Sequence, residues 1–157
     1  EEMPSAMMRE GQMYTWDVGV SRLEDLETVC ALVRKRLATD FPGQVASVAN
    51  FGHMGDGNLH LCVNTHLKDP RVNECLEPWL WELIGANSSA LYCGGRDLDV
   101  ARPVHGGSIS AEHGMGSFKA DDIGYAKPPE AIYLMQQIKK TFDPVGILNP
   151  YKVIPSN

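Results

Sequence analysis

The sequence predicts an α+β domain: a small ferredoxin-like antiparallel sheet with helices packed on one face, followed by a C-terminal helix and tail. Three observations lead there. Helical and alternating apolar patterns follow one another in the order helix, strand, strand, helix, strand, helix. The 157 residues, 43% of them hydrophobic, suffice for one core and not clearly for two. No internal repeat or low-complexity block interrupts the chain.

Residues 21–38 open with Ser21-Arg22-Leu23-Glu24, a capping-box pattern. Leu23, Leu26, Val29, Cys30, Val33 and Leu37 then recur at helical spacing on one face, and Phe41-Pro42-Gly43 ends the helix. VASVANF (45–51) and LHLCVN (59–64) read as strands. Asp69-Pro70 reads as a helix start, and the helix after it, carrying Trp79, Leu80, Leu83 and Ile84, is expected to kink at Pro78. Residues 87–103 hold no steady period and are expected to form an exposed insertion loop. GSISAE (107–112) reads as a third strand. Pro128-Pro129 opens a last helix whose expected packing face is Ala131, Leu134, Met135, Ile138 and Phe142. The whole, 1–157, is read as one domain.

Composition removes several functions. Net charge is −6 and no run of lysine and arginine occurs, so the basic footprint of a nucleic-acid binder is missing. No apolar stretch approaches the roughly 20 residues of a membrane span. The start, EEMPSAMMRE, lacks a signal-peptide core and reads like a cut end inside a longer protein. Cys30, Cys62, Cys75 and Cys93 form no C-x-x-C pair and read as buried free thiols.

GHMGDGNLH (52–60) concentrates the chemistry. With residues 55–58 as a hairpin loop, His53 would stand opposite His60, close enough for two imidazoles to share one ion. By itself the stretch reads more plainly as a polar hairpin tip with solvated histidines. In GSISAEHGMG the alternation puts Ser108, Ser110 and Glu112 on one face, so Glu112 points to a polar side, as a third ligand should. Two histidines and a glutamate with an open position suit zinc, and also manganese or iron. His113 follows directly, beside the ion but not bound to it, as a candidate base or as a histidine satisfied by a backbone carbonyl. Asp56 reads as a turn aspartate bonding its own backbone, and the Met3, Met7, Met8 and Met13 group as packing or a disordered end.

GHMGDGNLHL, ISAEHGMGSFK, IGYAKPPEA, LMQQIKKTFDP and GILNPYK, taken in order, resemble the C-terminal domain of the FAD-linked oxidases of the vanillyl-alcohol-oxidase type. The resemblance runs through roughly residues 14–86 and 104–157. It implies a ferredoxin-like substrate domain, a separate N-terminal FAD-binding domain absent from this chain, and a divalent metal, zinc first, in the active site. Matched motif to motif, it implies metal ligands at His53, His60 and Glu112 and the catalytic base at His113. His113 would also touch substrate, Arg9 would correspond to a substrate-binding arginine, and Asn149 would neighbour the flavin. Cys62 stands where the family's dehydrogenases carry a substrate-binding asparagine, and Thr15 stands where they carry a lysine. Residues 87–103 have no counterpart.

The activity implied is FAD-dependent oxidation of a small D-2-hydroxy acid: D-2-hydroxyglutarate to 2-oxoglutarate, with D-lactate or glycolate as smaller alternatives. The resemblance further implies an electron-transfer flavoprotein as acceptor and a mitochondrial location. A non-catalytic, truncated metal-binding fragment is the reading from a different class.

Overall fold

The computed structural model describes residues 11–85 and 106–155. Arg9 and the 87–103 segment lie outside them. The chain runs β1 (Gln12–Gly19), α1 (Asp25–Asp40), β2 (Val45–Phe51), a 3-10 turn (Met54–Asp56), β3 (Asn58–Thr65), α2 (Arg71–Ile84), α3 (Ile123–Ala126) and α4 (Pro129–Phe142).

The first strand is an element for which the sequence reading made no provision. Tyr14, Trp16 and Val18 are buried and alternate with Met13, Thr15 and Asp17, the period of two that a half-buried strand requires. The three strands form an antiparallel sheet in the order β1-β3-β2. α1 contributes Val29, Cys30, Val33 and Leu37, and α2 contributes Val72, Leu76, Leu80 and Ile84, to a single core with Tyr14, Trp16, Val18, Leu59, Leu61 and Val63. Both helices thus serve one face of the sheet. β3 lies in the middle, so even its second-face residues Cys62 and Asn64 are fully buried between their neighbours.

The expected strand over 107–112 is not formed. Gly19 and Ser108 exchange two backbone hydrogen bonds (2.7 and 2.8 Å) on the outer edge of β1, and Gly85 bridges Gly107. That single rung occupies the fourth-strand position of a ferredoxin-like sheet, beside β1. Gly107 is needed there, because a Cβ would lie 2.0 Å from the Gly19 carbonyl oxygen. The chain then leaves the sheet: His113 N–H donates to the Ser110 carbonyl at 2.9 Å, and Ala111 sits at φ 44°.

Two smaller expectations change, while the helix expected after Asp69-Pro70 forms. α1 begins at Asp25, so Ser21 and Glu24 precede its first turn, and the Glu24 side chain makes no capping bond. α2 continues through Pro78. α4 buries none of its residues: Leu134, Ile138 and Phe142, the face expected to pack, are exposed. Ala131 and Met135 of the same expected face are partly covered.

Candidate functional site

Register assembles one half of the site. His60 on β3 is cross-strand to Asp17 on β1 and to Phe51 on β2, so the three side chains share the face of the sheet away from the helices. The imidazole lies against the Phe51 ring, centroids 5.0 Å apart, and its Nδ1 donates to Asp17 Oδ1 at 2.5 Å. A neutral ring that donates at Nδ1 keeps its lone pair at Nε2. That nitrogen faces Glu112 Oε1 at 3.3 Å.

His53 arrives differently from the hairpin expectation. Phe51, not His53, opposes His60, and His53 reaches the cluster from the loop beyond β2. Gly52 allows the exit: its φ is 138°, and a Cβ there would lie 2.6 Å from the Asn58 carbonyl oxygen. The turn closes with Asp56 and Asn58 N–H donating to the His53 carbonyl. His53 Nδ1 then stands 3.2 Å from Glu112 Oε2 and 3.3 Å from the Asn58 amide.

Glu112 is delivered by the turn that replaces the third strand. Ile109 is buried in the core, and Lys119 Nζ donates to its carbonyl at 2.6 Å while lying 4.6 Å over the Trp81 ring. Burial lowers the Lys119 pKa, with the charge of Asp17 the next influence and opposite in sign. The positive φ of Ala111, costly for a residue with a side chain, immediately precedes the carboxylate.

His53, His60 and Glu112 therefore converge, their nearest donor atoms all within 4.8 Å of one another. Ligands bound about 2.0–2.1 Å from a tetrahedral zinc stand about 3.3 Å apart. The 3.2 and 3.3 Å separations from Glu112 match that edge. The facing of a lone pair and a carboxylate between His60 and Glu112 also calls for a proton or cation between them. On distance and donor chemistry the set fits a divalent ion.

His113 lies at the rim, ring edge toward His60 with centroids 5.4 Å apart. Its Nε2 is 3.5 Å from Asp17 Oδ1 and 4.0 Å from Glu112 Oε1. Cys62 shares the sheet face of His60; burial first, then the charge of Asp17, raises its thiol pKa. Asn149 sits exposed in the tail at φ 47°, and none of the described contacts of the cluster involves it. A cleft of about 410 Å³ opens beside the cluster, lined by His53, Asp56, Asn58, Ser108 and Glu112 among others. Asp17 was missed as a site residue, although the alternation of Tyr14-Thr15-Trp16-Asp17-Val18 marks both its strand and its polar face.

A carboxylate, two converging imidazoles and a third imidazole at the rim thus stand beside one cleft, with donor atoms of the kind that could hold a metal ion. Residues 2–153 match the family described as FAD linked oxidases, C-terminal domain, and the chain belongs to that family. It is 37% identical over 155 residues to the mitochondrial D-2-hydroxyglutarate dehydrogenase of Arabidopsis thaliana, covering 99% of this chain and 23% of that protein. Against the Bos taurus protein of the same name it is 36% identical, covering 100% and 25%. Against a putative mitochondrial D-lactate dehydrogenase of Schizosaccharomyces pombe it is 41% identical over 147 residues, covering 90% and 24%. The chain thus spans about a quarter of the length of these curated relatives.

Proposed function

We propose that this chain is the metal- and substrate-binding domain of an FAD-dependent dehydrogenase that oxidises D-2-hydroxyglutarate to 2-oxoglutarate. The observation that carries the reading is the Glu112 carboxylate set 3.2 and 3.3 Å from the nitrogens of His53 and His60. Those three residues would hold a divalent metal, zinc first. Bound there, the ion would supply Lewis acidity to the substrate's hydroxyl and carboxylate, and FAD on a part of the protein outside this chain would accept hydride.

This chain's own residues manage the proton. His113 takes the hydroxyl proton at Nε2, the nitrogen it turns toward the cluster. Asp17 Oδ1, 3.5 Å away, stabilises the imidazolium that results. Removal of that proton at the hydroxyl oxygen would balance loss of hydride from the α-carbon, so that the alcohol becomes a ketone. Arg9 would bind the substrate's carboxylate and Asn149 would lie toward the flavin domain, whereas the fully buried Cys62 offers substrate no surface, contrary to the sequence expectation. The names of the relatives support a mitochondrial location; an electron-transfer flavoprotein is the acceptor we propose.

A smaller substrate, D-lactate or glycolate, is the second reading. It is favoured by the 41% identity to the putative D-lactate dehydrogenase and by Thr15 and Cys62, neither of which offers a charge to a second carboxylate. The test is turnover of D-2-hydroxyglutarate, D-lactate and glycolate by a polypeptide carrying this chain with its flavin domain. Preference for the dicarboxylate supports the first reading, preference for either monocarboxylate the second. Inactivity on all three, with flavin bound, refutes both.

A further inference from the structure

We infer that Asp17 is a positioning residue whose carboxylate holds His60 in the tautomer that aims its Nε2 lone pair at the metal site; this rests on the metal reading above. Two groupings of candidate ligand atoms share His60: His53–His60–Glu112 and Asp17–His60–His113. Distance separates them. Asp17 Oδ1 and His60 Nδ1 are 2.5 Å apart, a direct charge-assisted hydrogen bond with no room for an ion between them. The Glu112 contacts, at 3.2 and 3.3 Å, are long enough for the atoms to share an ion. Asp17 therefore belongs behind the ligand and not among the ligands, the arrangement in which a carboxylate fixes a metal-bound histidine's orientation and raises its basicity.

The backbone enforces the pairing. Asp17 and His60 are directly opposed in the β1–β3 register, and Val18 and Leu59 beside them are locked into the core. Phe51, opposed to His60 on the other side, restricts the ring's tilt. Among the described residues, Asp17 is the hydrogen-bond partner of His60 Nδ1. The same oxygen lies 3.5 Å from His113 Nε2, so one carboxylate faces both imidazoles. Lys119, whose pKa burial lowers against the opposing charge of Asp17, lies within the field of the same carboxylate.

The test uses the full 157-residue chain, metal-free, with nitrogen-15 in its imidazoles, followed by titration with zinc against a competing chelator. Under conditions where the ring is neutral, His60 carries its proton on Nδ1. Asp17→Leu moves that proton to Nε2 and weakens zinc binding by about ten- to a hundredfold. Asp17→Asn retains an acceptor oxygen, so it keeps the tautomer and loses less affinity. If Asp17→Leu does not fold, Asp17→Asn carries the test, by its retained tautomer together with a weakened zinc affinity. Unchanged zinc affinity in every Asp17 variant that folds, or a wild-type His60 protonated on Nε2, overturns the inference while leaving the metal reading standing. A wild-type chain that binds neither zinc, manganese nor iron overturns the metal reading itself, and Asp17's role with it.

Discussion

His60 and Asp17 stand on adjacent strands with side chains 13% and 31% exposed, whereas His53, Glu112 and His113 hang from loops at 66%, 47% and 55%. The strand pair is held by a ladder of backbone hydrogen bonds and by a core directly beneath it. The loop residues are held by single devices: the Gly52 exit, the positive φ of Ala111, the Lys119 bond to the Ile109 carbonyl. A site built this way has a rigid back wall and an adjustable front. Chemistry that must admit and release a ligand needs the front to move, while the geometry of the metal-facing nitrogen needs the back to stay still.

The largest effects separate the two loop residues that are neighbours in sequence. His113→Asn should lower turnover by about 10²–10⁴-fold and leave metal content intact, as befits a lost general base. Glu112→Gln should lose metal first and activity as a consequence. Elemental analysis and turnover, measured separately on protein joined to its flavin domain, check both; metal lost from His113→Asn but kept by Glu112→Gln would reverse the roles.

Stability should divide along the same line. Leu61→Ala, beneath the His60 wall, should cost about 2–5 kcal/mol in denaturant unfolding. Met54→Ala, on the loop beside His53, should stay within about 0.5 kcal/mol. Equal costs would mean that the loop is as firmly built as the sheet. Lys119→Met removes the tie that places Glu112 while keeping an apolar stem over Trp81. Zinc affinity should fall by roughly tenfold, about the worth of one hydrogen bond to a charged group. A Lys119→Met protein that binds zinc normally would show that the turn at Ala111 is sufficient alone.

The smallest effect lies far from the cluster. Lys139 donates to the Asp143 carboxylate, which also accepts the N–H groups of Leu148 and Ile147, and these bonds hold its pKa below the ordinary carboxylate range. A folded-state pKa below the unfolded one stabilises fully above the unfolded value, about 3.9, and that stabilisation is lost as pH falls through the folded value. Hydrogen exchange at Ile147 and Leu148 should therefore quicken under acid before that of β3, and Asp143→Asn should produce the same loosening at neutral pH.

Sequence patterning was sufficient for α1, β2, β3, α2 and α4, because a run of apolar residues at helical or strand spacing needs no partner to be read. It also marked His53, His60, Glu112 and His113 as chemically unusual through the motifs around them. β1 carries an equally regular alternation in Tyr14, Trp16 and Val18, so that strand too is legible in the sequence. The routes by which the side chains meet are another matter. Whether Ser108 begins a strand or ends one rung depends on the edge of β1, and Asp17 opposes His60 only because β1 pairs with β3 in one register. Likewise, an amphipathic α4 was readable, but what its apolar face touches was not. Local pattern reports which way a side chain faces relative to its own backbone; only the packing of distant segments decides what it faces.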